Sequence, residues 1–266
     1  MRYGVYVPNF GAFGDGRQLR DLAVEAESAG WDGFFLWDHL VADPPVADPW
    51  VALGAIASVT RTIRFGPLIV PLPRRRPWKV AAEAATLQRL SDGRLILGAG
   101  MGVPWDYDRF GEPSDVATRA AKLEEGVHLL RQLLAGENID HSGPHYQARG
   151  MVLAKTALPI WVGGFWPRRA PVHAAATADG VFPNLRDPLS ATGFRPPTLD
   201  EVAGIQEDFI ASGGRSAADL IVMSVGAPSD IDIAAYEPAG VTWWLETAWD
   251  TSIQDFRRKV KEGPPR

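Results

Sequence analysis

The chain has no cysteine. That excludes disulfides, thiolate metal sites, iron–sulfur clusters and cysteine nucleophiles. Histidine is scarce, with five in 266 residues, and only His39 falls at the end of a predicted strand. A barrel metallohydrolase built on several imidazoles is therefore not expected, and no metal site is assigned. His141 and His145 flank Gly143-Pro144 in a predicted hairpin, where a metal pair and an ordinary surface hairpin are the two readings. No apolar run approaches the roughly 18–20 residues of a membrane helix. The opening MRYGVYVPNFG lacks a signal-peptide apolar region, so a soluble, cytoplasmic protein is expected. Basic charge is short as well: 27 Lys and Arg against 32 Asp and Glu leave a formal charge of −5, the wrong sign for a typical nucleic-acid binder. There is no GxSxG nucleophile elbow. The first predicted strand is followed by Asn9-Phe10-Gly11-Ala12-Phe13-Gly14, which is not GxGxxG. A glycosidase needs two strand-end acids, and after Asp38 strand four offers none before Asp106.

What is present is a rhythm. Short β-rich runs alternate with helical patterns. Strands are predicted at Tyr3–Val7, Gly33–Trp37, Arg64–Val70, Arg94–Ala99, Pro159–Val162, Val181–Phe182, Leu220–Val225 and Val241–Leu245. Helices fall near 17–29, 49–59, 77–90, 116–135, 167–177 and 198–212, with a weak one after strand seven and a charged one closing the chain. Leu123, Val127, Leu130 and Leu134, spaced 4, 3 and 4 apart, mark one face of the longest. A hairpin interrupts the rhythm near 137–154, and a Pro-, Gly- and Ser-rich loop runs from about 183 to 197. Eight units in this length predict one (β/α)8 TIM barrel over residues 1–266, in the α/β class, with a short insertion after strand six. An open doubly wound sheet is the alternative. Near-continuous apolar runs such as RLILGAG suit strands buried on both faces.

In such a barrel the chemistry sits at the C-terminal ends of the strands. Strand two ends in Trp37-Asp38-His39, a carboxylate beside an imidazole that exchanges protons near neutral pH. A solvated strand end or a helix-capping Asp38 is the plainer reading. Strand three carries Gly66-Pro67-Leu68, where proline inside a central strand marks a bulge or irregular backbone. Arg74-Arg75-Arg76 then precede a helix N-terminus, where cations oppose the dipole. They are either paired with acids or hold an anion. Strand four ends in Gly98-Ala99-Gly100-Met101-Gly102, small enough for a flat ligand to lie against the backbone. Strand five ends in Val162-Gly163-Gly164-Phe165-Trp166-Pro167-Arg168, where free amides, a helix start and arginine make a phosphate site. A plain turn is the alternative. Ten tryptophans, several at strand ends, suit an aromatic wall for a planar ligand as well as core filling.

Taken in order, WDHL, RRP, LSDGRLILGAG and PIWVGG, together with MRYGVYVPNFG and AESAGWDGFF, resemble the luciferase-like monooxygenase family of flavin- and deazaflavin-dependent oxidoreductases, over roughly residues 1–185. The resemblance implies a TIM-like barrel with the cofactor at the C-terminal mouth and a strand-three bulge, often with a non-prolyl cis peptide, behind the tricyclic ring. It implies contacts to Gly66, Pro67, Leu68, Gly100 and Gly102, and a phosphate at Val162, Gly163, Gly164, Phe165 and Arg168. Asp38-His39, rather than Glu-His-His, resembles members that use coenzyme F420. His39 is then expected to be the catalytic proton donor or acceptor, and Asp38 a polar contact to the cofactor. Two departures stand out: Met101-Gly102-Val103 replaces the glutamate that several deazaflavin enzymes carry, and Phe182-Pro183-Asn184-Leu185 shows no lysine for a phosphorylated substrate. The expected activity is hydride transfer between F420 and a small organic molecule. The alternatives are a reduced-FMN monooxygenase using oxygen and a barrel that binds cofactor without turnover. The resemblance also implies a homodimer.

Overall fold

The structure, a computed structural model, describes residues 1–167, 177–225, 227, 230–249 and 251–265. Strands β1 (Arg2–Val7), β2 (Gly33–Leu36), β3 (Arg64–Pro67), β4 (Val70–Pro71) and β5 (Leu97–Gly100) fill the first half of the barrel wall. β8 (Ile160–Phe165), β9 (Gly180–Arg186), β11 (Asp219–Met223) and β12 (Trp243–Thr247) fill the second. The parallel order is β3-β2-β1-β12-β11-β9-β8-β5-β4. β3 and β4 are two pieces of one strand. Phe65 of β3 bridges Leu95 just ahead of β5, and β4 pairs with β5 through Val70 and Ala99, so this split strand joins the two ends of the sheet. The result is the TIM-like barrel expected from the unit count.

Around it lie α1 (Gly16–Ser28), α2 (Pro49–Val59), α3 (Pro77–Leu90), the short α4 (Trp105–Asp108), α5 (Val116–Ala135), α6 (Leu199–Ala211) and α7 (Ile253–Glu262). Their starts follow from local chemistry. Asp15, Asp48, Asp115 and Ser252 cap α1, α2, α5 and α7, and Thr198 with Glu201 forms a capping box at α6. Pro49 and Pro77 occupy first-turn positions that need no N–H. The helix expected near 167–177 lies almost wholly outside the described residues.

Three expectations are corrected. The third strand breaks at Leu68–Ile69 instead of running through to Val70. Strand six is longer than Val181–Phe182, because β9 continues through Pro183 to Arg186. Pro183 is tolerated there because β9 meets β11 only at Gly180 and Val181, so its missing N–H interrupts no ladder on that side. The chain then turns through 187–193 and returns as β10 (Phe194–Arg195), antiparallel to β9. This is the short insertion after strand six, and it is more ordered than a loop from 183 to 197. Behind β11 the described residues carry a short 3-10 helix, Ile233–Tyr236, where a weak, short helix was expected. The hairpin is present as β6 (Ile139–Ser142) and β7 (Gln147–Met151). Glu125 of α5 fastens it by accepting from His141 Nε2 and from the amides of His145 and Tyr146.

Two cores result. One lies between the sheet and the helices, and the other fills the barrel interior. Inside, Phe35, Trp161 and Trp243 form a triangle of rings with centroids 5.3–5.7 Å apart. Glycines make room for them. A Cβ on Gly33 would lie 2.6 Å from Phe35 and 2.8 Å from Trp243, and one on Gly180 would lie 2.5 Å from Trp161. Each indole removes about 200 Å² from water, worth roughly 5 kcal/mol before entropy at about 25 cal/mol per Å². Part of the tryptophan surplus is thus core filling on a glycine-bearing wall.

Candidate active site at the barrel mouth

The residues that leave β2 diverge, as neighbours in extended chain must. Asp38 turns into the protein, and its carboxylate is wholly buried. Arg75 donates from Nη2 to Oδ1 and Oδ2 at 2.9 and 2.7 Å and from Nε at 3.1 Å, and Arg74 Nη2 adds a contact at 3.1 Å. Burial pushes the Asp38 carboxyl above the usual carboxylate range, and the two guanidiniums oppose that shift. Arginine does not give up its proton, so two fixed cations face this carboxyl. Of the two readings of the arginine run, Arg74 and Arg75 follow the first: they are paired with acids. Asp38, expected to touch the cofactor, has its carboxylate committed to them.

His39 turns the other way. Its Nδ1 lies 2.9 Å from Oδ2 of Asp106, on α4, and 22% of its side chain is exposed. Asp106 has no exposed side-chain surface. Its Oδ1 accepts from the amides of Val41 at 2.9 Å and Leu40 at 3.3 Å, and Arg74 Nη1 stands 3.3 Å from its Oδ2. Burial alone would raise the Asp106 carboxyl; the His39 hydrogen bond, the Val41 amide and Arg74 together hold it below its ordinary range. Asn9 fixes the His39 backbone. Its Oδ1 accepts from His39 N–H at 3.1 Å, and its Nδ2 donates to the carbonyls of His39 and Ala47. Asn9 is completely buried.

The loop that presents Asp106 is itself tied down. Tyr107 donates to the Met101 carbonyl at 2.8 Å, and Arg119 donates to Gly102 and Ser114 carbonyls at 2.9 and 2.8 Å. Gly102 has φ +64°, a conformation that disfavours side chains. The roles of Asn9 and Asp106 were not foreseen from the sequence. Asn9 stands two residues past β1, where the strand-end rule, applied to the first strand, would have found it. Asp106 is 67 positions from His39, and no local signal joins them.

Beside β2 lies the broken strand, with the Leu68 N–H donating to the Leu36 carbonyl at 2.7 Å. The peptide between Leu68 and Ile69 is cis, at the C-terminal edge of the expected Gly66-Pro67-Leu68 bulge. Glycines surround it. A Cβ on Gly66 would strike the Ile96 carbonyl at 1.7 Å; on Gly100, Ile69 at 2.9 Å; on Gly163, Ile69 at 2.7 Å. Val162 packs in the outer core, away from the barrel interior, so only its backbone is available at the mouth. Gly164 pairs with Pro183 and Phe165 with Asn184 along β9. Phe165 stacks on Phe194 at 6.1 Å with the Arg186 guanidinium 4.5 Å over its ring. Arg168 lies outside the described residues. From Phe194 the rings continue to Trp249 (5.2 Å), Trp37 (5.0 Å) and Phe10 (5.8 Å), and Trp105 stacks parallel to His39 at 6.4 Å. Trp37 Nε1 is buried with no hydrogen-bond partner among the described residues. No group of three or more His, Asp or Glu suited to a metal is found among those residues, and no described helix is long and apolar enough to cross a membrane.

The luciferase-like monooxygenase family model matches residues 1–242. The chain belongs to this family. Its luciferase-like relatives include the F420-dependent glucose-6-phosphate dehydrogenase of Nakamurella multipartita, 29% identical over 228 residues that cover 76% of this chain and 66% of that protein. The chain spans 66%, 66% and 48% of the length of three such curated dehydrogenases. Among solved structures, an F420-dependent secondary alcohol dehydrogenase in complex with an F420-acetone adduct superposes with TM-score 0.78 at 16% identity, over 99% of this chain and 98% of that one. The FMN-bound oxygenating constituent of 3,6-diketocamphane monooxygenase from Pseudomonas putida superposes with TM-score 0.65 at 21% identity, over 83% and 66%. Both show a shared luciferase-like barrel.

Proposed function

We propose that this chain is an oxidoreductase that uses coenzyme F420 to exchange hydride with a small organic substrate at the barrel mouth, His39 exchanging the accompanying proton. The observation that carries the reading is His39 itself: one ring nitrogen is committed to a buried carboxylate, while the ring remains partly open at the C-terminal end of the strands. The F420-dependent relatives support the cofactor.

The residues present fit a flat tricyclic group. Gly100 and Gly163 let the barrel wall close on the Ile69 side chain, which holds the Leu68–Ile69 turn in place as a backing, and Trp37 Nε1, without a partner among the described residues, offers a donor. Gly66, Pro67, Leu68, Gly100 and Gly102 would back the ring. Val162, Gly163, Gly164 and Phe165, with Arg168, would hold the phosphate side. When bound, F420 supplies two-electron hydride chemistry. The chain's own part is to bind, to exclude water with the Phe10–Trp37–Trp249–Phe194 wall, and to hold or accept a proton at His39. In the oxidising direction an alcohol loses its O–H proton to the imidazole as the carbonyl forms; in the reducing direction the imidazolium returns it.

The test is a titration of the protein with F420 and then FMN, followed by quenching of tryptophan and cofactor fluorescence. Tight F420 and weak FMN binding is expected. The reverse result would favour the second reading, a reduced-FMN monooxygenase using oxygen, whose barrel the FMN-bound relative shares. Binding of neither would favour a barrel without turnover. Turnover is then sought with F420 and isopropanol, F420 and glucose 6-phosphate, and reduced F420 with menadione. His39→Ala should keep F420 binding and lose about 10²-fold or more in rate; unchanged turnover removes His39 from the mechanism.

A further inference from the structure

We infer that Asp106 is the positioning residue of the site: it locks His39 in the tautomer that carries its proton on Nδ1 and leaves Nε2 as the proton-exchanging atom. The inference rests on the proposed function for its catalytic consequence, and on geometry alone for the tautomer.

Asp106 Oδ2 is 2.9 Å from His39 Nδ1, and a carboxylate only accepts, so Nδ1 must donate. The carboxylate cannot turn to any other partner. Its Oδ1 is held by two backbone amides, Leu40 and Val41, and its Oδ2 also faces Arg74 Nη1. The His39 backbone cannot shift either, because Asn9 binds both its N–H and its carbonyl. Carboxylate and ring are thus fixed from opposite sides. The charges facing the pair form a chain: Arg74 touches both Asp106 and Asp38, Arg75 closes on Asp38, and Asp48 lies near enough to Asp38 to act on it electrostatically. Arg74 is nearly buried, with 6% of its side chain exposed.

The discriminating variant is Asp106→Asn. An asparagine can keep Oδ1 on the two amides, but its NH2 then faces Nδ1 and donates, which forces the proton onto Nε2. A wrong tautomer, with the geometry otherwise intact, lowers turnover by orders of magnitude in acid–base triads. The experiment has two arms. Long-range 15N–1H NMR of the labelled protein without coenzyme reads the His39 tautomer, assigned among the five histidines by its loss in His39→Gln. Steady-state kinetics with the substrate pair that turns over reads kcat and KM.

We expect the wild type to show Nδ1–H, Asp106→Asn to show Nε2–H, and kcat of that variant to fall about 10²-fold or more with KM and F420 affinity changed less than about threefold. Asp106→Glu should recover the Nδ1–H form and part of the rate. An unchanged tautomer in Asp106→Asn, or a kcat within about threefold of wild type, overturns the inference and leaves Asp106 a cap for the 40–41 turn. Failure of the wild type to bind F420 overturns the proposed function instead, and the NMR arm still decides the tautomer.

Discussion

Gly98 and Leu68 are fitted to one another: a methyl group on Gly98 would lie 2.6 Å from Leu68 Cδ1 and 2.8 Å from the Pro67 carbonyl oxygen. The carbonyl cannot swing aside as a flexible side chain would. Gly98→Ala is therefore expected to push the Pro67–Leu68 segment, cost about 1–3 kcal/mol by overpacking, and weaken F420 binding at least about tenfold. Differential scanning calorimetry and the fluorescence titration check the two effects. A variant with wild-type Tm and affinity would show that the strand-three break does not shape the cofactor seat.

Arg94 gathers the end of α2. Its guanidinium donates to the carbonyls of Ala57, Thr60, Ile63 and Ser91 and to Thr60 Oγ1, at 2.8–3.0 Å. Those carbonyls include ones a helix C-terminus leaves without partners. Arg94→Met should strand several at once and cost about 3 kcal/mol. Urea denaturation measures it, with F420 affinity of the still-folded fraction unchanged because this cluster is at the opposite end of the barrel from the mouth.

Asn9→Ala removes the clasp on His39 and leaves three backbone groups, His39 N–H, His39 C=O and Ala47 C=O, without that partner. A loss of about 2–3 kcal/mol is expected, which is about 4–12 °C in Tm for a chain of this size. Turnover should fall more than cofactor affinity, because the group displaced is the proposed proton carrier and not the seat of the ring. Parallel measurement of kcat and F420 Kd checks the split.

Glu201 supplies the pH prediction. The Arg195 hydrogen bond holds its carboxyl down to about 2, from the usual 4.5, with the Thr198 amide contributing. A depressed carboxylate stabilises the fold above its unfolded value, and that contribution is lost as pH falls from about 4.5 toward about 2. The stability gap between wild type and Glu201→Gln should thus be full at pH 7 and shrink steadily below pH 4.5. Urea titrations at pH 7 and pH 3 give the gap at each. A gap that is the same at both values would remove the Arg195–Glu201 pair as the link between β10 and α6.

Much of the wall of this barrel was legible locally. The helix bounds 49–59, 77–90 and 116–135 coincide with the observed ones, since proline at N1, an Asp cap and 3.6-residue periodicity are all short-range signals. Irregular backbone near Gly66-Pro67-Leu68 was legible too, because a proline in a central strand takes a donor out of the ladder and disturbs the pairing. Pro183 misled for the same reason: a β9 that outruns its neighbour β11 is a tertiary fact. The candidate site divides likewise. His39 could be picked out from its place after a strand. What Asp38 and His39 face could not, because Arg74, Arg75 and Asp106 reach them across 36–67 positions of chain.

The triangle of Phe35, Trp161 and Trp243 stoppers the barrel below the mouth. Solutes as wide as a ring cannot cross from one end to the other. Under the proposed reaction, coenzyme and substrate would both enter from the mouth and share one doorway, so whichever lies deeper would be first in and last out, and inhibition by product would follow that order.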